Sequence, residues 1–81
     1  MKLNLHDYLK IIKKPMDLGT IEKKLASYEG FADFVTDVRL VFSNCLLYNQ
    51  EGHFEIRAMA KTLSHYFESV LEVLDWQEDY D

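Results

Sequence analysis

The sequence predicts an all-α protein with three main helices and a short helical turn. Residues 31–49 and 54–74 repeat apolar side chains at intervals of three and four residues, which is the pattern of an amphipathic helix. Pro15, Gly30 and Gly52 interrupt this pattern and separate the helical segments. We therefore expect helices that run antiparallel, or nearly so, and no strand.

The residues before Pro15 predict a loop followed by a single helical turn. Met1–Leu5 alternates apolar and polar residues without a partner strand, so we interpret it as a loop that points Leu3 and Leu5 inward. A turn of helix is expected over residues 7–12, where apolar side chains recur at i, i+3 and i+4. Pro15 ends this turn because it lacks a backbone donor and disfavours helical backbone at the preceding residue.

Short polar and glycine-containing segments mark where the next helices begin. Asp17 is expected to be the N-cap of a helix that extends to about Ser27, its carboxylate accepting from a backbone amide of the first turn. Gly30 is expected to be the N-cap of the helix over 31–49, and Asp33 then lies near the positive end of that helix. Its apolar stripe comprises Phe31, Phe34, Val35, Val38, Val41, Phe42 and Cys45, while residues such as Asp37 and Arg39 fall on the remaining faces.

The last main helix, over residues 54–74, carries an apolar face wider than the ~100° stripe that one neighbouring helix would cover. This width predicts more than one packing partner. We divide the chain into a domain over 1–75 and an acidic tail over 76–81. Trp76, the first residue of that tail, either folds back onto the domain or remains exposed.

Composition narrows the classes of partner. The 81 residues support one domain whose core supplies only a few kcal/mol, on the order expected for its size. A net charge of −5 disfavours direct binding to nucleic acid and fits a basic partner. No uncharged segment approaches the ~18 residues of a membrane-spanning helix, so we expect a soluble protein without membrane contact.

The sequence also lacks the usual signatures of catalysis. Cys45 is the single cysteine, which excludes an intrachain disulfide and a cysteine-rich zinc site. The three histidines do not have metal-ligand spacing, and neither a glycine-rich phosphate loop nor a nucleophile motif is present. We therefore expect no enzymatic activity, no cofactor and no metal.

Asn49 places a carboxamide where the apolar stripe of the helix over 31–49 would continue. The stripe passes through Val38, Phe42 and Cys45 before it reaches Asn49. A carboxamide that faces the core requires hydrogen-bond partners. Asn49 therefore either caps the end of the helix or binds a ligand, and periodicity alone leaves both alternatives open. Asn44, on another face of the helix, is expected to lie outside any such site.

Two segments of the chain stand out as motifs: Tyr8 to Ile21, which includes Ile-Ile-Lys-Lys-Pro-Met-Asp, and Asn44-Cys-Leu-Leu-Tyr-Asn49. They resemble the signature segments of bromodomains, the helical modules that recognise acetylated lysine. The resemblance implies a left-handed antiparallel helix bundle of bromodomain type. It also implies that Asn49 donates a hydrogen bond to the acetyl carbonyl of the ligand and that Tyr8 reaches the same carbonyl through an ordered water molecule.

The segment from Lys2 to Tyr8 is similar to the connecting loop of the bromodomain and extra-terminal (BET) family. This similarity makes Leu3 and Leu5 candidates for the pocket wall. The stretch from Asp37 to Cys45 also resembles the BET family, which makes Cys45 a candidate for the pocket floor. The further residues of the site implied by the family motifs are Tyr48, Met16 and Ile56. Ile56 resembles the gatekeeper residue that packs on the ligand, but six residues separate it from Asn49 where BET members usually have five. Phe54 is therefore the alternative gatekeeper.

The resemblance covers roughly Leu3 to Leu74 but only about the last two-thirds of the family's domain. The first helix and the Trp-Pro-Phe shelf have no counterpart in these 81 residues, so we expect a partial bundle with a weakened pocket. The resemblance implies acetylated histone tails as partners and a nuclear location. The alternative is a helical element without acetyl-lysine binding, which forms a homodimer or binds a partner chain through its exposed helix faces.

Overall fold

The computed structural model describes residues 5–76, with side chains from Asp7 onward. Four α-helices follow one another: α1 (Leu5–Ile11), α2 (Leu18–Lys24), α3 (Phe31–Tyr48) and α4 (Phe54–Val73), and no strand occurs among the described residues. The predicted all-α fold is confirmed. Helix α1 begins at Leu5, so Leu5 belongs to a helix and not to the predicted loop, whereas Leu3 lies outside the described residues.

Local sequence signals position the starts of α2 and α3 as predicted. The Asp17 Oδ1 atom accepts a hydrogen bond from the Thr20 backbone amide at 2.7 Å, and this bond lowers the pKa of the Asp17 carboxyl. Gly30 precedes α3 in extended backbone, as its predicted N-cap. Helix α2 ends at Lys24, three residues before the predicted end, because the chain then forms a turn in which the Ser27 amide bonds to the Lys24 carbonyl at 2.8 Å.

Helix α3 is the centre of the fold, since α1, α2 and α4 each pack against it. The most buried apolar side chains come from both sides of these contacts: Ile12, Ile21, Val35, Val38, Ala60 and Leu71. Aromatic rings extend this core towards one end, where Phe34 contacts both Tyr28 and Phe67 edge-on. The core is small, and α3 and α4 each supply two of these six side chains.

The charged residue Asp37 of α3 lies inside the protein, contrary to the sequence-based assignment. Asp37 was expected on the solvated faces but retains only 7% of its exposure. Its Oδ2 atom accepts hydrogen bonds from Lys24 Nζ at 2.7 Å and from the Tyr28 hydroxyl at 2.6 Å. These bonds lower the pKa of Asp37, while burial together with Asp37 raises the pKa of Tyr28 to about 12. The network joins α2 and the loop after it to α3.

The chain reverses after α4 so that Trp76 returns to α3. The Asp75 amide bonds to the Glu72 carbonyl at 2.9 Å and the Trp76 amide to the Leu71 carbonyl at 3.0 Å, which together form a Schellman motif. Asp75 occupies the left-handed position of the motif, with φ 56. The Trp76 ring packs on Phe31 with centroids 5.8 Å apart. Of the two alternatives for Trp76, folding back is therefore correct; residues 77–81 of the predicted tail lie outside the described residues.

Helix α4 leaves a long apolar stripe exposed. Within the described part of the chain α4 packs against α3, and a neighbouring face of α4 presents Ile56, Met59, Leu63, Tyr66 and Val73 to solvent. These residues recur at helical spacing and form one face, which we call the α4 stripe. The α4 stripe explains why the apolar face predicted for residues 54–74 is wider than one neighbouring helix would cover. The helices described here include none with the length and hydropathy needed to cross a membrane.

Candidate functional site

The C-terminal end of α3 places the Asn49 side chain. The last four carbonyls of a helix have no partners within it, and in α3 the first of them belongs to Cys45. That carbonyl accepts from the Asn49 backbone amide at 3.1 Å and from Asn49 Nδ2 at 2.9 Å. Asn49 Nδ2 also lies 3.8 Å from Cys45 Sγ. The structure therefore shows Asn49 as a cap of α3, one of the two alternatives that the periodicity left open.

Tyr8 and Tyr48 form an aromatic pair beside Asn49. Their ring centroids are 4.7 Å apart and the ring planes are inclined by 61°, so the contact is edge-to-face. The pair attaches α1 to the end of α3. Burial is the main cause that raises the pKa of the Tyr48 hydroxyl, and the nearby Asp7 adds to it. Tyr8, Cys45, Tyr48 and Asn49 are thus brought together at one end of the fold.

A groove of about 430 Å³ lies next to this pair. It is bounded by α1, by the end of α3 and by the loop that leads to α4. Its lining combines apolar and acidic side chains and includes Asp7, Ile11, Leu47, Tyr48, Glu51 and His53. The groove therefore combines an apolar lining with the negative charges of Asp7 and Glu51.

The remaining predicted site residues belong to the linker before α2, to the start of α4 and to the N-terminal segment. Met16 is half-buried in the linker between α1 and α2. Ile56 and Phe54 lie in the first turn of α4, where Phe54 is 81% exposed and Ile56 45% exposed. Of Leu5 the structure describes the backbone, and Leu3 lies outside the described residues. The parts of the site contributed by these two leucines stay predictions.

Asn44 lies outside the site, as expected, but it has a structural role that the sequence did not reveal. Its side chain is 8% exposed, and its Nδ2 atom donates to the Lys14 carbonyl at 2.9 Å. This bond ties the segment before Pro15 to α3. Substitution of Asn44 would therefore disturb the fold, so Asn44 is unsuitable as a neutral control for Asn49.

Arg57 is a further residue near the site, and sequence reasoning did not single it out. Its Nη1 atom donates to the Leu46 carbonyl at 2.6 Å and to the Asn49 carbonyl at 3.2 Å. One sequence signal could have identified Arg57: it is a basic residue in the first turn of the helix that follows α3. Basic side chains often bind the terminal carbonyls of a helix. No group of acidic, histidine and cysteine side chains within residues 5–76 is arranged to hold a metal ion.

Comparison with known proteins agrees with this geometry. A model of the family described as Bromodomain matches residues 2–62. The chain belongs to the bromodomain family. The solved second bromodomain of Candida albicans Bdf1, bound to an imidazopyridine, has a TM-score of 0.71 and 48% identity to this bromodomain. That match covers 82% of this chain and 63% of the Bdf1 chain.

Two curated relatives support the same assignment. The SWR1 complex bromodomain subunit bdf1 of Schizosaccharomyces pombe is 49% identical over 76 residues, which is 91% of this chain and 13% of that protein. Transcription factor GTE1 of Arabidopsis thaliana is 50% identical over 68 residues, or 82% of this chain and 17% of that protein. This bromodomain therefore spans less than a fifth of each relative. The relatives confirm the predicted likeness to BET-type bromodomains and are themselves transcription or chromatin factors.

Proposed function

We propose that this chain is an acetyl-lysine recognition module whose anchor is the Asn49 carboxamide. The observation that carries the proposal is the arrangement at the end of α3, where Asn49 Nδ2 is fixed by the Cys45 carbonyl next to the Tyr8–Tyr48 pair. Bromodomains bind acetylated lysine, and the family motifs of this chain supply both Asn49 and the Tyr8 that packs on Tyr48. Recognition of this kind requires no reaction, and the proposed function is accordingly that of a reader and not of an enzyme.

The hydrogen bond that Asn49 makes within α3 is compatible with ligand binding. A carboxamide nitrogen carries two N–H donors, and the bond to the Cys45 carbonyl uses one of them. The other lies near Cys45 Sγ, which is a weak acceptor. An acetyl carbonyl is a stronger acceptor than a thiol, so ligand binding replaces a weak contact. The capping bond meanwhile holds the carboxamide in place.

Selectivity for the acetylated form follows from charge. Acetylation removes the positive charge of lysine, whereas an unmodified ammonium would lose several kcal/mol of hydration, on the order expected for a buried ion, on entering an apolar site. The hydrogen bond to Asn49 adds a net ~0.5 to 1.5 kcal/mol. We therefore expect affinities on the order of micromolar to millimolar. The 81 residues tested alone should lie towards the weak end, since they span 63% of the Bdf1 bromodomain chain.

We infer that the partner is an acetylated histone tail. The chain carries a net charge of −5, and the groove beside Tyr48 contains Asp7 and Glu51, which suits the basic residues that flank lysines in such tails. The relatives named as a SWR1 complex subunit and as a transcription factor support a chromatin partner. A nuclear location follows from the same proposal. The site residues that we propose, in addition to Asn49, are Tyr8, Tyr48, Cys45, Met16, Ile56, Leu3 and Leu5.

Titration of the isotopically labelled chain with peptides tests this function. A diacetylated histone-tail peptide should shift backbone resonances around Tyr48 and Asn49, and the unmodified peptide should not. Asn49→Ala should weaken binding at least tenfold, because the ligand carbonyl would be desolvated without a donor.

Ser43→Ala is the matched control for Asn49→Ala. Ser43 is exposed on the same helix, and its hydroxyl bonds to the Leu40 carbonyl at 3.2 Å. This variant should bind like the parent. Equal binding of the acetylated and unmodified peptides, or undiminished binding by Asn49→Ala, would contradict the proposal.

The α4 stripe favours a second candidate function, namely assembly. Its apolar side chains are exposed along almost the full length of the helix. An apolar face of this extent commonly binds another helix. We infer that a homodimer, or a partner chain packed on the stripe, is the principal alternative to acetyl-lysine recognition, and Ile56 is the one proposed site residue that also belongs to the stripe.

A further inference from the structure

We propose that Arg57 is a positioning residue for Asn49. Its guanidinium reaches from the first turn of α4 to two carbonyls at the end of α3, those of Leu46 and of Asn49 itself. This role deepens the proposed function and rests on it, since it matters for binding only if Asn49 is the acetyl-lysine donor.

The carbonyls at the end of α3 show why this contact is decisive. After the helical bonds end, the Cys45 carbonyl is satisfied by the Asn49 amides, and the Leu46 carbonyl is satisfied by Arg57 at 2.6 Å. A positive charge at the C-terminal end of a helix also interacts favourably with the helix dipole. Arg57 and Asn49 thus bind carbonyls of the same last turn of α3, Asn49 from the end of α3 itself and Arg57 from α4.

The first turn of α4 holds the backbone of Arg57 in place. Its backbone amide bonds to the His53 carbonyl at 3.0 Å, in the first turn of α4, and its side chain is half-buried. The guanidinium is planar and rigid, so one arginine can fix two carbonyls with little further loss of freedom. The contact therefore connects the loop after α3 to both helices and restricts the backbone that carries the Asn49 side chain.

Loss of this contact should release the end of α3 while leaving the rest of the bundle intact. Terminal turns open more easily than the interior of a helix, and the Asn49 carboxamide moves with its backbone. The apparent dissociation constant rises in inverse proportion to the fraction of molecules in the binding arrangement. If that fraction falls to about a tenth, affinity falls roughly tenfold.

Arg57→Met is the decisive variant because it retains the aliphatic stem and removes both hydrogen bonds. Arg57→Lys keeps the charge but replaces the planar fork by a single ammonium, so it should recover part of the effect. Arg39→Met is the matched control. Arg39 also joins α3 to α4, through Nε to Glu68 Oε2 at 3.0 Å and Nη2 to Glu68 Oε1 at 2.9 Å, but it lies near Trp76 and not near Asn49.

Two readouts separate positioning from general destabilisation. The first is the NMR signal of the Asn49 side-chain amide without ligand, which should be distinct and slowly exchanging in the parent and in Arg39→Met but averaged in Arg57→Met. The second is the affinity for the acetylated peptide, which should fall roughly tenfold in Arg57→Met and less than about twofold in Arg39→Met. Arg57→Lys should lie between the parent and Arg57→Met in both measurements.

The two proposals fail in different ways. If the parent does not bind acetylated peptide, the proposed function fails, and the Asn49 amide signal still decides whether Arg57 positions it. If Arg57→Met leaves that signal and the affinity unchanged, the positioning role is wrong. If Arg57→Met and Arg39→Met weaken binding equally, Arg57 only stabilises the fold, and the proposal is also wrong.

Discussion

We propose that Asn49 combines a structural and a recognition role, because a carboxamide has more hydrogen-bonding groups than a helix cap uses. The sequence presented the cap and the ligand donor as alternatives. The structure shows the cap, through the bond to the Cys45 carbonyl at 2.9 Å, and that bond leaves the second N–H of Nδ2 directed to weaker partners. At this residue the two alternatives support each other, since capping holds the amide where a ligand could meet it.

Substitutions at Tyr8 can separate the effect of its ring packing from the effect of its hydroxyl. Tyr8→Ala should lower the free energy of unfolding by roughly 1 kcal/mol beyond the loss of buried area, because it removes the edge-to-face contact with Tyr48. Tyr8→Phe keeps that contact and should unfold like the parent. If the Tyr8 hydroxyl contributes to acetyl-lysine binding, Tyr8→Phe should nevertheless bind the acetylated peptide several-fold more weakly, by roughly the value of one hydrogen bond.

The control for this prediction is Tyr66→Phe. Tyr66 is exposed on the α4 stripe, so removal of its hydroxyl should change neither stability nor affinity. Urea denaturation and peptide titration provide the two measurements. If Tyr8→Phe binds as tightly as the parent, the Tyr8 hydroxyl does not contribute to ligand binding.

Between elements, the Asp37 network is the principal polar contact of the fold, and it predicts a dependence of stability on pH. The folded-state pKa of Asp37 lies below its ordinary value of 3.8, chiefly because of the hydrogen bonds from Lys24 and Tyr28. The folded state therefore binds fewer protons than the unfolded state. The stabilisation is complete above the unfolded pKa and is lost as the pH falls through the folded pKa.

Asp37→Asn should reduce the free energy of unfolding at neutral pH by roughly 1 to 2 kcal/mol, since it weakens the bonds from Lys24 and Tyr28. The difference between variant and parent should shrink as the pH falls from the ordinary Asp pKa of 3.8 through the lower folded-state pKa of Asp37. Urea denaturation across this range measures both effects. Some acid sensitivity should persist in the variant because Arg39 also lowers the pKa of Glu68.

Asp33→Asn is the control for charge alone. Asp33 is exposed on the same helix, so its variant removes one negative charge without removing a buried partner. Its stability should fall by only about 0.3 to 0.5 kcal/mol, the contribution of an exposed carboxylate near the positive end of a helix. A loss of stability in Asp33→Asn equal to that in Asp37→Asn would show that net charge, and not the network, governs the acid response.

At the end of α4 we expect a substitution that increases the stability of the fold. Asp75 holds a left-handed backbone with φ 56 in a Schellman motif, a position at which glycine has no steric penalty. Asp75→Gly should therefore raise the free energy of unfolding by roughly 0.5 kcal/mol, after allowance for the greater freedom of glycine in the unfolded chain.

Gly52 supplies the converse test. It has φ 74, and a side-chain carbon added there would meet nothing within 4 Å. Gly52→Ala should therefore be destabilising by about 1 kcal/mol through backbone strain alone. Thermal denaturation of both variants checks the pair. Stabilisation by Gly52→Ala, or destabilisation by Asp75→Gly, would show that another factor controls these turns.

The starts of the helices could be predicted because they depend on neighbouring residues. Asp17 caps α2 through Thr20, three residues away, and Gly30 precedes α3. The burial of Asp37 could not be predicted in this way, since its partner Lys24 is separated by 13 positions and has to be brought in by the fold. The return of Trp76 to Phe31 depends on the whole length of α3 and α4.

The same distinction applies to the site. Tyr8, Tyr48 and Asn49, which we propose for the site, could be named from the sequence because family motifs mark them, and the packing of α1 on α3 places Tyr8 against Tyr48. Arg57 belongs to no motif that we identified, and its contacts with the Leu46 and Asn49 carbonyls arise only where α4 meets the end of α3. Sequence patterns identify residues on one element more readily than contacts between two.

For the whole molecule, the α4 stripe predicts self-association of the 81-residue chain. Leu63→Glu should shift the mass measured by sedimentation velocity towards that of the monomer, because a charge at the centre of the stripe cannot be buried without cost. Thr62→Glu introduces the same charge one position away and should leave the mass of the parent unchanged. A parent that is monomeric at every concentration would contradict the assembly function while leaving the acetyl-lysine proposal intact.

The resonance of the Asn49 side-chain amide tests the central claim most directly, because the claim concerns one donor atom, Nδ2. Acetylated histone-tail peptide should move this resonance strongly, in proportion to the bound fraction, and the unmodified peptide should leave it unchanged. The backbone amides of α2, which lie outside the proposed site, should shift little. If the acetylated peptide binds but the Asn49 side-chain resonance stays where it was, then Asn49 is not the acetyl-lysine anchor of this bromodomain.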